Sequence, residues 1–192
     1  MGTDFQFRKA AVAQLTREIG VYVLADLDNV PIYVGQSRDG IRQRVQRHLT
    51  SARSDIIANR QIDIWEIAFV WTYPCPDKTA LDRLEAQLFH AFDERSQLVN
   101  GKIPQRPIND APPPDPAQII QVMTDEERED KTSPEQRLPR QASHYAAIVD
   151  HFLTIKDSSE VLRAMNAHFA RLQKYHAQMQ SLSSDDAPEL PL

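Results

Sequence analysis

The sequence predicts an α+β fold, a small three-stranded antiparallel sheet flanked by helices, followed by a proline-rich linker and a C-terminal helical region. Three observations predict it. Two short β-type runs, Val21–Leu24 and Pro31–Val34, enclose the polar turn Asp26-Leu27-Asp28-Asn29, the pattern of a hairpin. Apolar residues recur at helical spacing before and after that hairpin. The chain has 13 prolines against 5 glycines, and Pro112-Pro113-Pro114-Asp115-Pro116 reads as a stiff, extended spacer.

Taken in order, residues 5–19 carry Ala11, Val12, Leu15 and Ile19 on one helical face, and Gly20 ends the pattern. After the hairpin, Asp39 is the expected cap of a helix whose inward residues are Ile41, Val45 and Leu49. Ile62–Trp71 is the strongest β-type segment, with Trp65, Ile67, Phe69 and Trp71 on one face until Pro74-Cys75-Pro76 breaks it. Asp77 or Thr79 then caps a helix running to about Phe92, with Leu81, Leu84, Leu88 and Phe92 inward. Asn100-Gly101 is a turn, and Pro107-Ile108-Asn109 a last short extended piece. These elements make up an expected domain at 1–110.

Residues 111–142 are expected to be a proline-rich, charged linker in which only Ile119, Ile120, Val122 and Met123 offer local docking. Residues 143–182 are helical again. One helix carries Ile148, Phe152 and Ile155 inward. A second opens at the capping-box pair Asp157 and Glu160 and bears the seam Leu162, Met165, Phe169, Leu172 and Met179. That seam is short. It suits docking on the chain's own domain, a partner protein or a homodimer. Residues 183–192 are expected to be a disordered end.

No run approaches the ~18 apolar residues of a membrane span. Cys75 is the only cysteine, which excludes an intramolecular disulfide, and the cytoplasm is the expected compartment. The formal net charge of −5 belongs entirely to residues 111–192, since residues 1–110 are balanced. Within the balanced part, Arg38, Arg42, Arg44, Arg47, Arg53 and Arg60 face only Asp39 and Asp55. A compact arginine patch of this kind suits phosphate, because guanidinium forks match its geometry.

Several side chains bear on chemistry. Tyr22 and Tyr33 lie on the two hairpin strands, so their hydroxyls either meet at a common edge or belong to ordinary half-buried strand aromatics. Arg44 and His48 are four residues apart and share one helix face. Glu85 falls on or beside the Leu81/Leu88/Phe92 stripe, where a charge is costly unless a cation or strong donors compensate it. It either reaches water, pairs with Arg83 or Arg44, or holds a metal. The tail histidines His144, His151, His168 and His176 have no tight metal-ligand spacing.

Gly20-Val21-Tyr22 followed by Tyr33-Val34-Gly35 resembles the two-part motif of the GIY-YIG nucleases. The resemblance extends to Arg44-Val45-Gln46-Arg47-His48, to Glu85 on a later helix, and to Asn109. It implies a small stand-alone, metal-dependent endonuclease acting on DNA, with RNA a weaker substrate. A catalytically silent nucleic-acid-binding or protein-interaction module of the same fold is the alternative. It also implies roles: Glu85 holding Mg²⁺ or Mn²⁺, Arg44 on the scissile phosphate, and Tyr22, with Tyr33 or His48, receiving a proton from water. Asn109 would orient the site, Arg38, Arg42, Arg47, Arg53 and Arg60 would bind nucleic acid, and Gly20 and Gly35 would allow close backbone approach. One departure stands out. Several repair-type members carry lysine directly after the second motif, and this chain has Gln36.

Overall fold

Strand β1 (Gly20–Ala25) is the axis of the molecule. Its sequence, GVYVLA, holds no charge, and every position is buried, so both of its faces are covered. It pairs antiparallel with β2 (Pro31–Ser37) on one side and β3 (Phe69–Pro74) on the other. A fourth strand, β4 (Gln118–Gln121), adds antiparallel to β3, giving the order β2-β1-β3-β4. The computed structural model describes residues 3–50, 62–108, 111–155 and 157–185. Its helices are α1 (Thr3–Val12), α2 (Ile41–Thr50), α3 (Leu81–Asp93), α4 (Asp125–Thr132), α5 (Pro134–Thr154) and α6 (Ser159–Asp185).

Alternation along β1 sorts the core into two layers. Tyr22 and Leu24 pack with Ala11 and Val12 of α1 and with Ile41, Val45 and Leu49 of α2. Val21 and Val23 pack on the opposite face with Leu81, Leu88, Phe89 and Phe92 of α3. The outer edge of β2 is covered by the chain after α3. Val99 donates to the Ile32 carbonyl at 2.8 Å, and the Asn100 side chain bonds both backbone groups of Val34, at 3.0 and 2.6 Å. This answers the exposed-edge liability of a terminal strand.

Several local expectations are corrected. The first helix stops at Val12 rather than continuing to residue 19, and the turn that follows still buries Leu15. Two N–H groups at the start of α2, those of Ile41 and Arg42, are met by the Glu18 and Thr16 carbonyls, a role expected of Asp39. Ahead of β3 the predicted strand gives way to a 3₁₀ turn at Ile64–Glu66, because the Asp63 side chain accepts from the Trp65 N–H. Trp65 consequently leaves the strand face and lies exposed, with Arg8 and Lys131 cations 5.2 and 4.9 Å from its ring. Before α3, Asp77 Oδ1 accepts from the N–H groups of Thr79 and Ala80.

The larger correction concerns residues 111–142. The sheet has four strands instead of three, because residues inside the expected linker supply β4. Thr124 then caps α4, its hydroxyl accepting from Glu127 N–H at 3.1 Å. Pro134 opens α5 as a first-turn proline, and α5 runs on through Pro139, 21 residues in all. A proline so placed forfeits a helical hydrogen bond, and the neighbouring side chains offset the loss. Arg137 reaches Glu66 at 2.5 Å, Asp28 at 2.8 Å and the Tyr175 hydroxyl at 2.9 Å. Arg140 reaches Glu66 at 2.7 Å and Asp63 at 3.1 Å, and Gln141 donates to both carboxylates at 3.0 Å.

Helix α6 is opened by Ser158, whose hydroxyl accepts from Val161 N–H, and it meets the rest of the chain along Val161, Ala164, His168, Arg171 and Tyr175. That face lies one residue round from the expected seam. Of the seam, Leu162 and Phe169 are 41% and 45% exposed, and on α5 the expected inward Ile155 is 74% exposed. The helix continues to Asp185, so the first part of the expected disordered end is helical, and residues 186–192 lie outside the described set.

The Glu66 cluster yields a stability prediction. Arg137→Met leaves a buried carboxylate short of its closest cation and should cost about 3–5 kcal/mol, since breaking a buried pair strands a charge. Denaturant unfolding checks it, and a loss below about 1 kcal/mol would contradict a closed, buried network.

Candidate active site

Two side-chain clusters lie on opposite faces of the edge strand β2. The first is aromatic. Tyr22 of β1 and Tyr33 of β2 have ring centroids 6.2 Å apart, and His48 of α2 lies 5.7 Å from one and 6.3 Å from the other. Tyr22 Oη and His48 Nε2 are 2.7 Å apart, and both residues are buried. Burial, with the Tyr33 hydroxyl alongside, pushes the Tyr22 phenol well above its usual range, while the hydrogen-bonded Arg44 guanidinium works the other way. The sequence arrangement explains the convergence: Tyr22 pairs with Gly35 across the strands, and α2 lies over that face.

The motif glycines are steric requirements. A Cβ on Gly35 would stand 2.5 Å from the Tyr22 hydroxyl and 2.8 Å from the Tyr33 ring. A Cβ on Gly20 would stand 2.3 Å from the Tyr73 carbonyl and 2.8 Å from Ile41 Cδ1. The expected close backbone approach is therefore present at both positions.

The second cluster is carboxylate-based. Glu85 of α3 accepts from Gln36 Nε2 at 2.8 Å, and the same nitrogen donates to Asp82 Oδ1 at 2.9 Å. Arg38 pairs with Asp82 at 3.1 Å. Burial raises the Glu85 pKa, the nearby Asp82 charge adds to the rise, and the Gln36 hydrogen bonds oppose it. Asp82 is held below the usual carboxylate range by its hydrogen bonds to Gln36 and Arg38. A cleft of about 760 Å³ opens beside Glu85, lined by Asp82, Arg83, Ala86 and residues 104–108. A smaller hollow of about 130 Å³ is lined by Gln36, Arg38, Arg44 and Arg47, so it touches both clusters.

These observations bear on a divalent ion. Among the described residues, no three His, Cys, Asp or Glu side chains come together as a protein cage. A half-buried Glu85 on an open cleft fits an ion of the Mg²⁺ type, which keeps several waters and takes one or two carboxylates plus substrate phosphate.

The expected nucleic-acid arginines divide. Arg38, Arg44 and Arg47 share the hollow, whereas Arg42 turns away and donates to the Leu15 carbonyl at 2.6 Å. Arg53, Arg60 and Asn109 lie outside the described residues. Sequence reasoning gave Asp82 no part in the site, pairing it with Thr79 as a loose capping box, and read Asn100 as a turn residue. Asn100 clamps Val34, between Tyr33 and Gly35, and so orients the second motif by hydrogen bonds. The only sequence signal for it was the Asn-Gly turn itself.

One outcome follows from the aromatic cluster and a second from buried tyrosines elsewhere in the chain. Gly35→Ala should destabilise by about 1–3 kcal/mol through overpacking and displace the Tyr22 ring, visible as a lower melting temperature and altered near-ultraviolet dichroism. Burial also raises the phenols of Tyr73 and Tyr175. Their folded pKa values exceed the unfolded value of about 10, so the stability they contribute is complete below that pH and is lost as pH rises beyond it. Thermal melts from pH 8 to 11 read this directly.

Residues 18–97 match the family model for the GIY-YIG catalytic domain. No curated protein matches the chain. Nucleases of that family depend on a divalent metal and act on DNA. Among the described residues no helix is long and apolar enough to cross a membrane. Both motif strands, the arginine-histidine helix and the Glu85 helix fall inside the segment 18–97 that matches the GIY-YIG catalytic domain.

Proposed function

We propose that this chain is a small stand-alone endonuclease that hydrolyses phosphodiester bonds of DNA in the cytoplasm, with Mg²⁺ or Mn²⁺ held by Glu85. The observation that carries the reading is the pairing of a Tyr22–His48–Tyr33–Arg44 cluster with a desolvated carboxylate across one edge strand. Phosphodiester hydrolysis needs a cation on the phosphate, an acceptor for the water's proton and charge stabilisation at the leaving oxygen.

The residues divide this work. Arg44 donates to the scissile phosphate, where its fork fits two oxygens. Tyr22, like any phenol, is protonated at neutral pH, and burial pushes its pKa further up. It therefore accepts a proton from water only as its own proton passes to His48 Nε2, 2.7 Å away. Tyr33 flanks the same hydroxyl and limits its rotation. Glu85 would hold the ion, which would supply positive charge to offset that of the leaving oxygen. Arg38 and Arg47, with Arg53 and Arg60, contact flanking phosphates, while Arg42 braces α2. Asn109 orients the site, and Asn100 already does so from the β2 edge. A protein partner or second copy that engages α6 would meet Leu162 and Phe169, the exposed members of the seam that also includes Met165, Leu172 and Met179.

A catalytically silent nucleic-acid-binding or protein-interaction module is the competing reading, and the deep burial of Tyr22 favours it. Plasmid nicking with Mg²⁺ or Mn²⁺ separates the two. Glu85→Gln should abolish cleavage with an unchanged melt, because it keeps the shape and removes the charge the ion needs. Arg44→Ala should lower kcat by about 100-fold or more while DNA affinity changes little. Wild-type turnover in a folded Glu85→Gln chain would refute the metal role. An inactive wild-type chain that still binds DNA would favour the silent module.

A further inference from the structure

Gln36 occupies the position directly after the second motif, at the end of β2 where the strand passes α3. Its side chain does not point into solvent as an edge-strand glutamine ordinarily would. One nitrogen, Nε2, donates to Glu85 at 2.8 Å and to Asp82 at 2.9 Å. A backbone hydrogen bond from Gln36 reaches Glu85 as well. The amide oxygen is buried and has no hydrogen-bond partner among the described residues. An amide turned the other way would aim that oxygen at two carboxylates, so charge fixes the orientation even though an acceptor goes unused. Asp82 is in turn held by Arg38 at 3.1 and 3.3 Å, which anchors the far side of the bridge.

We propose that Gln36 is the positioning residue of Glu85: a neutral clamp that locks the carboxylate for a divalent ion without neutralising it. The inference rests on the reading of Glu85 as the metal-holding residue. Its physical content lies in the choice of donor. An ammonium placed between Asp82 and Glu85 would form ion pairs with both and compete with the incoming cation for the same charge. An amide orients the carboxylates through hydrogen bonds and leaves their negative charge available. Partners of this kind commonly govern metal affinity or activity by about 10–100-fold without touching the ion.

The experiment uses the full chain and Mn²⁺ alone as probe. Free Mn²⁺ is counted by electron paramagnetic resonance, and steady-state cleavage is measured in parallel. Gln36→Met keeps length and removes the donor. It should lower kcat by about 10-fold or more at saturating Mn²⁺, with KM for DNA within about twofold and an unchanged melt. Gln36→Lys keeps a donor and adds charge. It should weaken Mn²⁺ binding by about 10-fold in the absence of DNA, a change that a merely structural role for Gln36 does not predict. Gln36→Met with wild-type kcat, or Gln36→Lys with wild-type Mn²⁺ affinity, would overturn the clamp. Glu85→Gln separates the two levels of the argument. If it abolishes Mn²⁺ binding while both Gln36 variants behave as wild type, the clamp alone fails. If it binds Mn²⁺ and cleaves as wild type, the reading of Glu85 fails and takes the clamp with it.

Discussion

The carboxylate of Glu66 is the constraint on which the arrangement of the chain depends. It sits in a 3₁₀ turn between α2 and β3, almost wholly buried, and accepts from Arg137, Arg140, Gln141 and Tyr175. A charge so placed is tolerable only when every lone pair is met. Meeting them draws in α5 and α6, and with those helices come Arg171 against the Gln97 and Pro31 carbonyls and Ala167 into the core cluster that also holds Tyr22. The acidic second part of the chain is therefore bonded to residues 18–97 by its arginines, and its net negative charge does not measure what its inner face presents.

The geometry of the candidate site follows from the pleat of one edge strand. Along β2, Tyr33 and Gly35 pair with Leu24 and Tyr22 on the α2 side, while Val34 and Gln36 pair with Val23 and Val21 on the α3 side. Tyr22, Tyr33 and His48 thus collect on one face and the carboxylates on the other, with the arginine hollow joining them around the edge. Such a division sets Glu85 beside Gln36 on one face and Arg44, which bonds Tyr22, on the other. It also makes the β2 edge the element whose position matters most, and Asn100 fixes it through the two groups of Val34.

Much of this was legible in the sequence because it is local. The hairpin strands, the α2 face of Ile41, Val45 and Leu49, and the α3 face of Leu81, Leu88 and Phe92 are periodic patterns over four to twelve residues, and each is buried as read. The ordered set from Gly20 to Glu85 placed Tyr22, Tyr33, Arg44 and His48 as candidates, and the fold gathers those four. Partner choice was less legible. Water, Arg83, Arg44 and a metal were the candidate partners of Glu85, and the fold adds Gln36, 49 residues away on another element.

By itself, then, the sequence determined the type and inner face of the periodic elements and the family motif, since these depend on backbone preference and burial pattern within a few turns or strands. Tertiary structure decided the rest. Gln118–Gln121 has no period to distinguish it from a loop, and it became a strand because β3 offered an unpaired edge. Pro134 and Pro139 read as helix breakers, yet α5 runs through the second because Arg137, Arg140 and Gln141 are claimed by Asp63 and Glu66 more than 70 residues earlier. The inner face of α6 likewise turned by one residue from its most apolar stripe, since the buried carboxylates and carbonyls opposite it demanded Arg171 and Tyr175. A buried charge selects its partner by the free energy of leaving it unpaired, and that quantity exists only once the chain has folded around it.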